Sequence, residues 1–291
     1  MLNKMPITLL RVTCWAMSAL CKSEFKRCRI VLPYFKQLLT ISDDDVISET
    51  LWGLVHITSK ANGEELGQVS EKIPLNLILN FILNPKPTIK TPALKALGNL
   101  CAGPAEITEN IMVHSCLEVI AYELRTTSNE KVARDLCWIV SNLALGTSSY
   151  IQKLLDEGII KLICDILNSE AGYEVKVHAI YALCEATEES TEKQIWVMVR
   201  LGVIECLTRS FSISNLRPGV ICTILKGLDN LMTAGQGGEG EVNQIAWRFD
   251  NLRGFDIVTK FTEYPNAKVS TRAQKLLDKF AYEQSHLSDI Y

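Results

Sequence analysis

The chain has 291 residues, of which 47% are hydrophobic and 22% charged, enough apolar mass for one or two ordinary domains or a single elongated array. A formal net charge of -3 excludes a global basic field able to hold nucleic acid by counterion release and suits basic partners better. No uncharged apolar run approaches the ~20 residues that span a bilayer, so neither nucleic acid nor membrane is an expected partner.

Glycine, proline and polar clusters interrupt the chain throughout, and the segments between them carry apolar residues at i, i+3, i+4 and i+7. This predicts an all-helical protein. In chain order, six segments superimpose: TCWAMSALC (13–21), TLWGLVHIT (50–58), ALKALGNLC (93–101), LCWIVSNLA (136–144), AIYALCEAT (179–187) and ILKGLDNLM (224–232). Taking the third residue of each as an anchor gives Trp15, Trp52, Lys95, Trp138, Tyr181 and Lys226, with steps of 37, 43, 43, 43 and 45. A period near 42 is that of armadillo or HEAT units, each of which buries its apolar face only by stacking on a neighbour.

A second pattern precedes several anchors, in 151–167, 194–211 and 244–261, with Gly158, Gly202 and Gly254 where one short helix must stop and the next begin at a steep angle. Two such helices plus the anchor helix make three per repeat, the armadillo form. The expected fold is all-α, a right-handed superhelical solenoid of armadillo repeats forming one array over 1–291. Residues 1–28 form a partial first repeat with an uncapped apolar face. Repeats follow at 29–63, 64–105, 106–148, 149–191 and 192–242, and 243–291 form a capping repeat.

The ten cysteines sit mostly inside apolar helical patterns and read as reduced, buried thiols; Cys14, Cys21 and Cys28 lack the CxxC pairing of a zinc site. His56, His114 and His178 are too scattered to ligate a metal. Asp43, Asp44 and Asp45 open an anchor helix and complement its dipole. Lys22 to Arg29 reads as a solvated loop. The glycine-rich stretch 235–241 lacks the Lys-Ser/Thr of a phosphate loop and reads as a flexible insertion. Trp196 and Trp247, in first helices, are expected to pack between repeats. No nucleophile elbow, HExxH or paired carboxylates in a cleft appear, so no catalytic residue, cofactor or metal is expected.

The anchor helices resemble the third helices of importin-α (karyopherin-α), an armadillo adaptor that carries nuclear-localisation signals. There a Trp is followed four residues later by an Asn. Trp138-Ile-Val-Ser-Asn142 matches in full; Lys95-Ala-Leu-Gly-Asn99 resembles the one family repeat with a basic residue for the Trp; and Leu228-Asp-Asn-Leu-Met resembles the ninth repeat. The resemblance runs from about residue 11 to about 282 and covers the family's fourth to tenth repeats. The first three repeats and the basic segment that binds importin-β have no counterpart, so importin-β is not expected as a partner.

A Trp and an Asn at i and i+4 share one helix face, and stacked repeats align those faces into a ladder. Each Asn can pair with the backbone of an extended peptide. Slots between Trp faces hold aliphatic stems, and a threaded Lys or Arg gains ~0.5–2 kcal/mol of cation–π attraction. Asp135 and Glu49 each precede an indole by one turn and resemble the family's acidic groove residues. The resemblance implies a minor signal site of Lys95, Asn99, Asp135, Trp138, Ser141 and Asn142. The next repeat departs from the pattern, with Tyr181 for Trp, Glu185 for Asn and His178 for the acid. Toward the N-terminus, Ala19 follows Trp15 and His56 follows Trp52, so the major site is eroded. Each of these tryptophans also has core packing as its ordinary role.

The resemblance implies an adaptor for basic nuclear-localisation signals in nuclear protein import, in cytoplasm and nucleus, with an export receptor at its C-terminal repeats. The alternative is a truncated scaffold or cargo competitor that contacts other transport proteins without productive import.

Overall fold

The computed structural model of the chain describes residues 5–236 and 242–285. Residues 237–241 of the glycine-rich stretch lie outside the described residues. Among the described residues there are nineteen α-helices and no strand. None of the helices is long and apolar enough to cross a membrane.

After α1 (Ile7–Leu20) the helices fall into trios of two short members and a longer third. The trios are α2 (Phe25–Cys28), α3 (Leu32–Leu38), α4 (Asp44–Thr58); α5 (Gly63–Lys72), α6 (Leu75–Ile82), α7 (Pro87–Cys101); α8 (Ala105–Ile111), α9 (His114–Thr126), α10 (Glu130–Ala144); α11 (Ser148–Asp156), α12 (Ile159–Asn168), α13 (Tyr173–Ala186); α14 (Glu192–Arg200), α15 (Val203–Ser210), α16 (Pro218–Thr233); and α17 (Gln244–Asn251), α18 (Gly254–Thr259), α19 (Ala267–Ser285). All six anchor segments lie in long helices, and α19 adds a seventh that the anchor pattern had not distinguished.

Local chemistry sets the ends. Asp43 caps α4 by accepting from the Val46 amide, Asn62 and Glu65 form a capping box on α5, and Thr191 and Gln194 form another on α14. Pro87 and Pro218 occupy the first positions of α7 and α16, where a missing N–H costs nothing.

The chain divides into two compact units, Met1–Leu143 and Ala144–Tyr291. In the first, α4 packs between α1 and α7; in the second, α16 packs between α13 and α19, with α12 against α13 and α18 against α19. Fully buried Leu51, Leu54, Leu94 and Leu97 serve the first core, and Leu183, Leu225, Leu228 and Phe280 the second. Each such side chain contributes about 1.5–3 kcal/mol by leaving water. All ten cysteines are free thiols, nine of them buried and Cys222 half-buried. Burial pushes the Cys21 and Cys137 thiols up to about 12, which keeps them protonated.

Two expectations change. Gly158 and Gly202 are left-handed as expected, with φ of 69° and 91°, but at the third kink the left-handed residue is Arg253 with φ of 57°. Gly254 is instead the first residue of α18, and a Cβ there would overlap the Phe249 ring. Its smallness answers a close approach, not a backbone angle. Trp247, expected to pack between repeats, is 57% exposed on α17.

Candidate peptide-binding groove

In the first unit, α7 and α10 carry the sequence-predicted ladder. Trp138 and Asn142 lie one turn apart on α10, and both reach back to Gly98 of α7. The indole occupies the space a Cβ of Gly98 would need, and Asn142 Nδ2 donates to the Gly98 carbonyl at 3.0 Å. Asn99 repeats the contact one step earlier, its Nδ2 donating to Thr58 Oγ1 at 2.9 Å and more weakly to the Val55 carbonyl at 3.4 Å. These two asparagines thus tie α7 to α4 and α10 to α7. A carboxamide has two donor hydrogens and an acceptor oxygen, so these bonds leave capacity for a peptide backbone. Ser141 is buried and turns its hydroxyl back to the Trp138 carbonyl at 2.8 Å.

Asp135, one turn before Trp138, has only 4% of its side chain exposed. Lys95 Nζ stands 3.3 Å from one of its oxygens and Arg134 Nη2 is 2.7 Å from the other. The carboxylate is therefore neutralised by two cations of the chain itself. Lys95 and Asp135 meet across the helix pair, and each satisfies the other's charge.

The N-terminal pair α1 and α4 is arranged differently. Trp15 is 62% exposed and lines a cavity of about 320 Å³ with Arg11, Val12, Asp45, Ser48 and Glu49. Arg11 is committed to Asp43 at 2.6 Å and Asp45 at 3.1 Å. Glu49 is half-buried at the same cavity. Sequence spacing had paired it with Trp52 one turn away along α4; the structure also brings it to Trp15 across the helix pair. Trp52 is half-buried and stands beside His56, ring centroids 6.3 Å apart and tilted by 32°. Burial, with Lys22 and Lys60 nearby, lowers the His56 pKa and so favours the uncharged imidazole at the expected Asn position.

In the second unit, Tyr181 stands 6.2 Å from His178, ring to ring. Glu185 shares the face with Glu188, whose carboxylate pairs with Lys226 of α16. Burial first, then the hydrogen bond and charge of Glu188, push the Glu185 carboxyl up to about 6 against the pull of Lys226. Asn230 keeps the ladder contact, donating to Thr187 Oγ1 at 3.0 Å. On α19, Lys275 and Lys279 stand where an anchor and its partner would, and Lys279 pairs with Asp229 at 2.8 Å. The signal was present in the buried Ala273, Leu276 and Phe280, but no Trp or Asn marks it. Among the described residues no group of His, Cys, Asp or Glu is placed to hold a metal ion.

No protein-family model matches the chain. Importin subunit alpha-1a of Oryza sativa subsp. japonica is 25% identical over 282 residues, 94% of this chain and 53% of that protein. Importin subunit alpha-4 of Arabidopsis thaliana is 25% identical over 287 residues, 96% and 53% of the two chains. The chain thus spans about half the length of the curated relatives it matches. Among solved structures, a designed armadillo repeat protein in complex with peptide (KR)4 superimposes with a TM-score of 0.75 at 20% identity, covering 86% of this chain and 99% of that one. Computationally designed armadillo repeat proteins for modular peptide recognition give 0.76 at 22% identity, covering 86% and 99%. The chain has the armadillo-repeat fold and a distant homology to importin α that runs over nearly its whole length.

Proposed function

We propose that the chain is an importin-α-like adaptor that binds basic, extended nuclear-localisation signals of cargo proteins on the faces of its long helices, and that it works between cytoplasm and nucleus in protein import. The observation that carries this reading is the importin α homology across nearly the whole chain. A designed protein of the same fold is seen in complex with (KR)4, a peptide of the expected chemistry. In the first unit Lys95, Asn99, Asp135, Trp138, Ser141 and Asn142 supply one face. The Trp15 cavity with Glu49 supplies an indole wall and a carboxylate for a Lys or Arg stem, and Trp52 supplies a further indole on α4. In the second unit Tyr181 and Glu185 offer an aromatic wall and an acid. A fluorescent bipartite basic peptide tests the reading by anisotropy: binding that weakens with salt and falls in the Trp138→Ala/Asn142→Ala double variant supports it. Absent or salt-insensitive binding rejects it.

The internal pairing of Asp135 with Lys95 and Arg134 favours a second reading, a scaffold whose long-helix faces do not hold basic signals and whose C-terminal helices contact another transport protein, such as an export receptor. It predicts that the same double variant leaves complex formation intact while changes within 240–291 abolish it. It also predicts no binding of the basic peptide.

A further inference from the structure

The face of the long helices in the second unit changes sign along the chain. It is acidic at Glu185 on α13 and at Glu188 in the turn that follows, mixed at Lys226 and Asp229 on α16, and basic at Lys275 and Lys279 on α19. Between α16 and the first turns of α19 lies a pocket of about 440 Å³ lined by Cys222, Ala267, Lys268, Thr271, Arg272 and Lys275. Its volume falls in the ~300–1,000 Å³ range of ligand sites. Among the described residues, three of the six that line it are cationic and none is acidic. Arg272 spends one donor, Nη1, on the Cys222 carbonyl at 3.0 Å, which leaves its remaining N–H groups for another acceptor. Two described acids nearby are engaged elsewhere: Asp229 pairs with Lys279, and Asp278 accepts from Gln274 at 2.7 Å. The pocket therefore concentrates positive charge on a chain whose formal net charge is -3.

We propose that this pocket docks an acidic protein segment, whose Asp and Glu carboxylates are taken by Lys268, Arg272 and Lys275. Charge complementarity selects the class. Among the described residues the lining holds no aromatic side chain on which a base would stack, and the chain as a whole is acidic, so a single nucleic-acid strand is disfavoured. Convergence matters because one exposed ion pair contributes only ~0–1 kcal/mol, whereas several cations meeting one acidic run act together. The site is separate from the basic-peptide faces and stands or falls independently of them.

Cys222 supplies a built-in reporter, since the other nine thiols are buried. An uncharged maleimide added to the full chain should label Cys222, and a saturating poly-Glu peptide should slow that labelling severalfold. By anisotropy, a fluorescent poly-Glu peptide should bind with an affinity that falls as salt rises. Lys268→Glu/Lys275→Glu should weaken it by more than about tenfold. Lys36→Glu/Lys72→Glu, which changes the net charge equally on exposed sites of the first unit, should leave it within about twofold. Both pairs are exposed in the fold, and the labelling measurement needs no variant. The proposal is overturned by absent binding, by equal losses in the two double variants, or by unchanged Cys222 labelling. It is also overturned if a phosphopeptide or a single-stranded oligonucleotide binds more tightly than the poly-Glu peptide. Binding of (KR)4 measured alongside reports separately on the basic-peptide faces.

Discussion

Trp138 rests on Gly98: the indole of α10 fills the space where any other residue of α7 would carry its Cβ, and Asn142 bonds to the carbonyl of the same glycine. One residue without a side chain thus seats both members of the Trp/Asn pair. Gly98→Ala should gain slightly in helix propensity yet lose more by overpacking, a net loss of about 1–3 kcal/mol in denaturant unfolding. Tryptophan emission should shift as the ring is displaced. Trp138→Ala should suppress much of the Gly98→Ala penalty in a double-mutant cycle; additive losses would show that the two residues do not meet.

The Trp15 cavity is the better test of cation capture in the first unit, because its acid is less buried than Asp135. If a basic peptide threads there, Trp15→Ala should cost about 0.5–1 kcal/mol, roughly two- to fivefold in affinity. Glu49→Gln should cost a similar factor at low salt and progressively less as salt rises. Titration of a labelled Lys/Arg peptide at two ionic strengths checks both. An unchanged affinity in both variants would place the peptide elsewhere.

The long helices are legible because their apolar period is written in every one of them, from Leu10 and Cys14 on α1 to Leu228 and Met232 on α16. Within the expected capping repeat 243–291, α19 escapes the anchor pattern because Lys275 and Lys279 stand where a Trp/Asn search looks for markers. The tertiary partners were less legible. Lys95 and Asp135 are forty residues apart, and nothing local says that one neutralises the other. Glu49 reads as Trp52's neighbour along a helix, while its approach to Trp15 arises only when α4 packs on α1. Gly254 departs from expectation for a related reason: alignment with Gly158 and Gly202 implies a shared backbone angle, whereas the ring of Phe249 is what demands a small residue.

Arg253 and Gly254 should respond to substitution in opposite directions. Arg253 holds a left-handed backbone that an L-residue with a Cβ adopts at a cost of ~1–2 kcal/mol, partly offset by the entropy glycine would lose. Arg253→Gly should therefore stabilise the second unit by about 0.5–1 kcal/mol. Gly254→Ala, one residue on, should destabilise it by about 1–3 kcal/mol through its clash with Phe249. Thermal melts of the two variants should move in opposite directions; shifts of the same sign would put the strain at the wrong residue.

Lys95 and Asp135 set stability against availability. Lys95→Met keeps the aliphatic stem but removes one of the two cations on a nearly buried carboxylate, leaving Arg134. The expected loss is about 1–3 kcal/mol of stability, the scale of leaving a buried charged group short of a partner. A basic peptide should then bind severalfold more tightly, because its own Lys or Arg can occupy the vacated side of Asp135. Denaturation and peptide titration on the same preparation measure both effects. Weaker peptide binding with intact folding would mean that Lys95 helps the peptide instead of competing with it.

Glu185 makes the second unit sensitive to pH in a defined direction. Its carboxyl is raised from an ordinary 4.5 to about 6, by burial first and by Glu188 next. A carboxyl whose pKa rises on folding takes up a proton as the chain folds. The stabilisation is complete below the ordinary value and is lost as pH climbs through about 6. Glu185→Gln removes both the titration and the repulsion from Glu188, so it should raise the melting temperature relative to wild type near pH 8 and give no such gain near pH 4.5. The gain should be a fraction of full linkage, since much of the side chain stays in contact with water. Glu188→Gln should lower the Glu185 pKa toward its ordinary value and flatten the same stretch of the stability profile, although it also removes the partner of Lys226. A profile that steepens between pH 4.5 and 7 in the Glu185→Gln variant would mean that some other group governs this range.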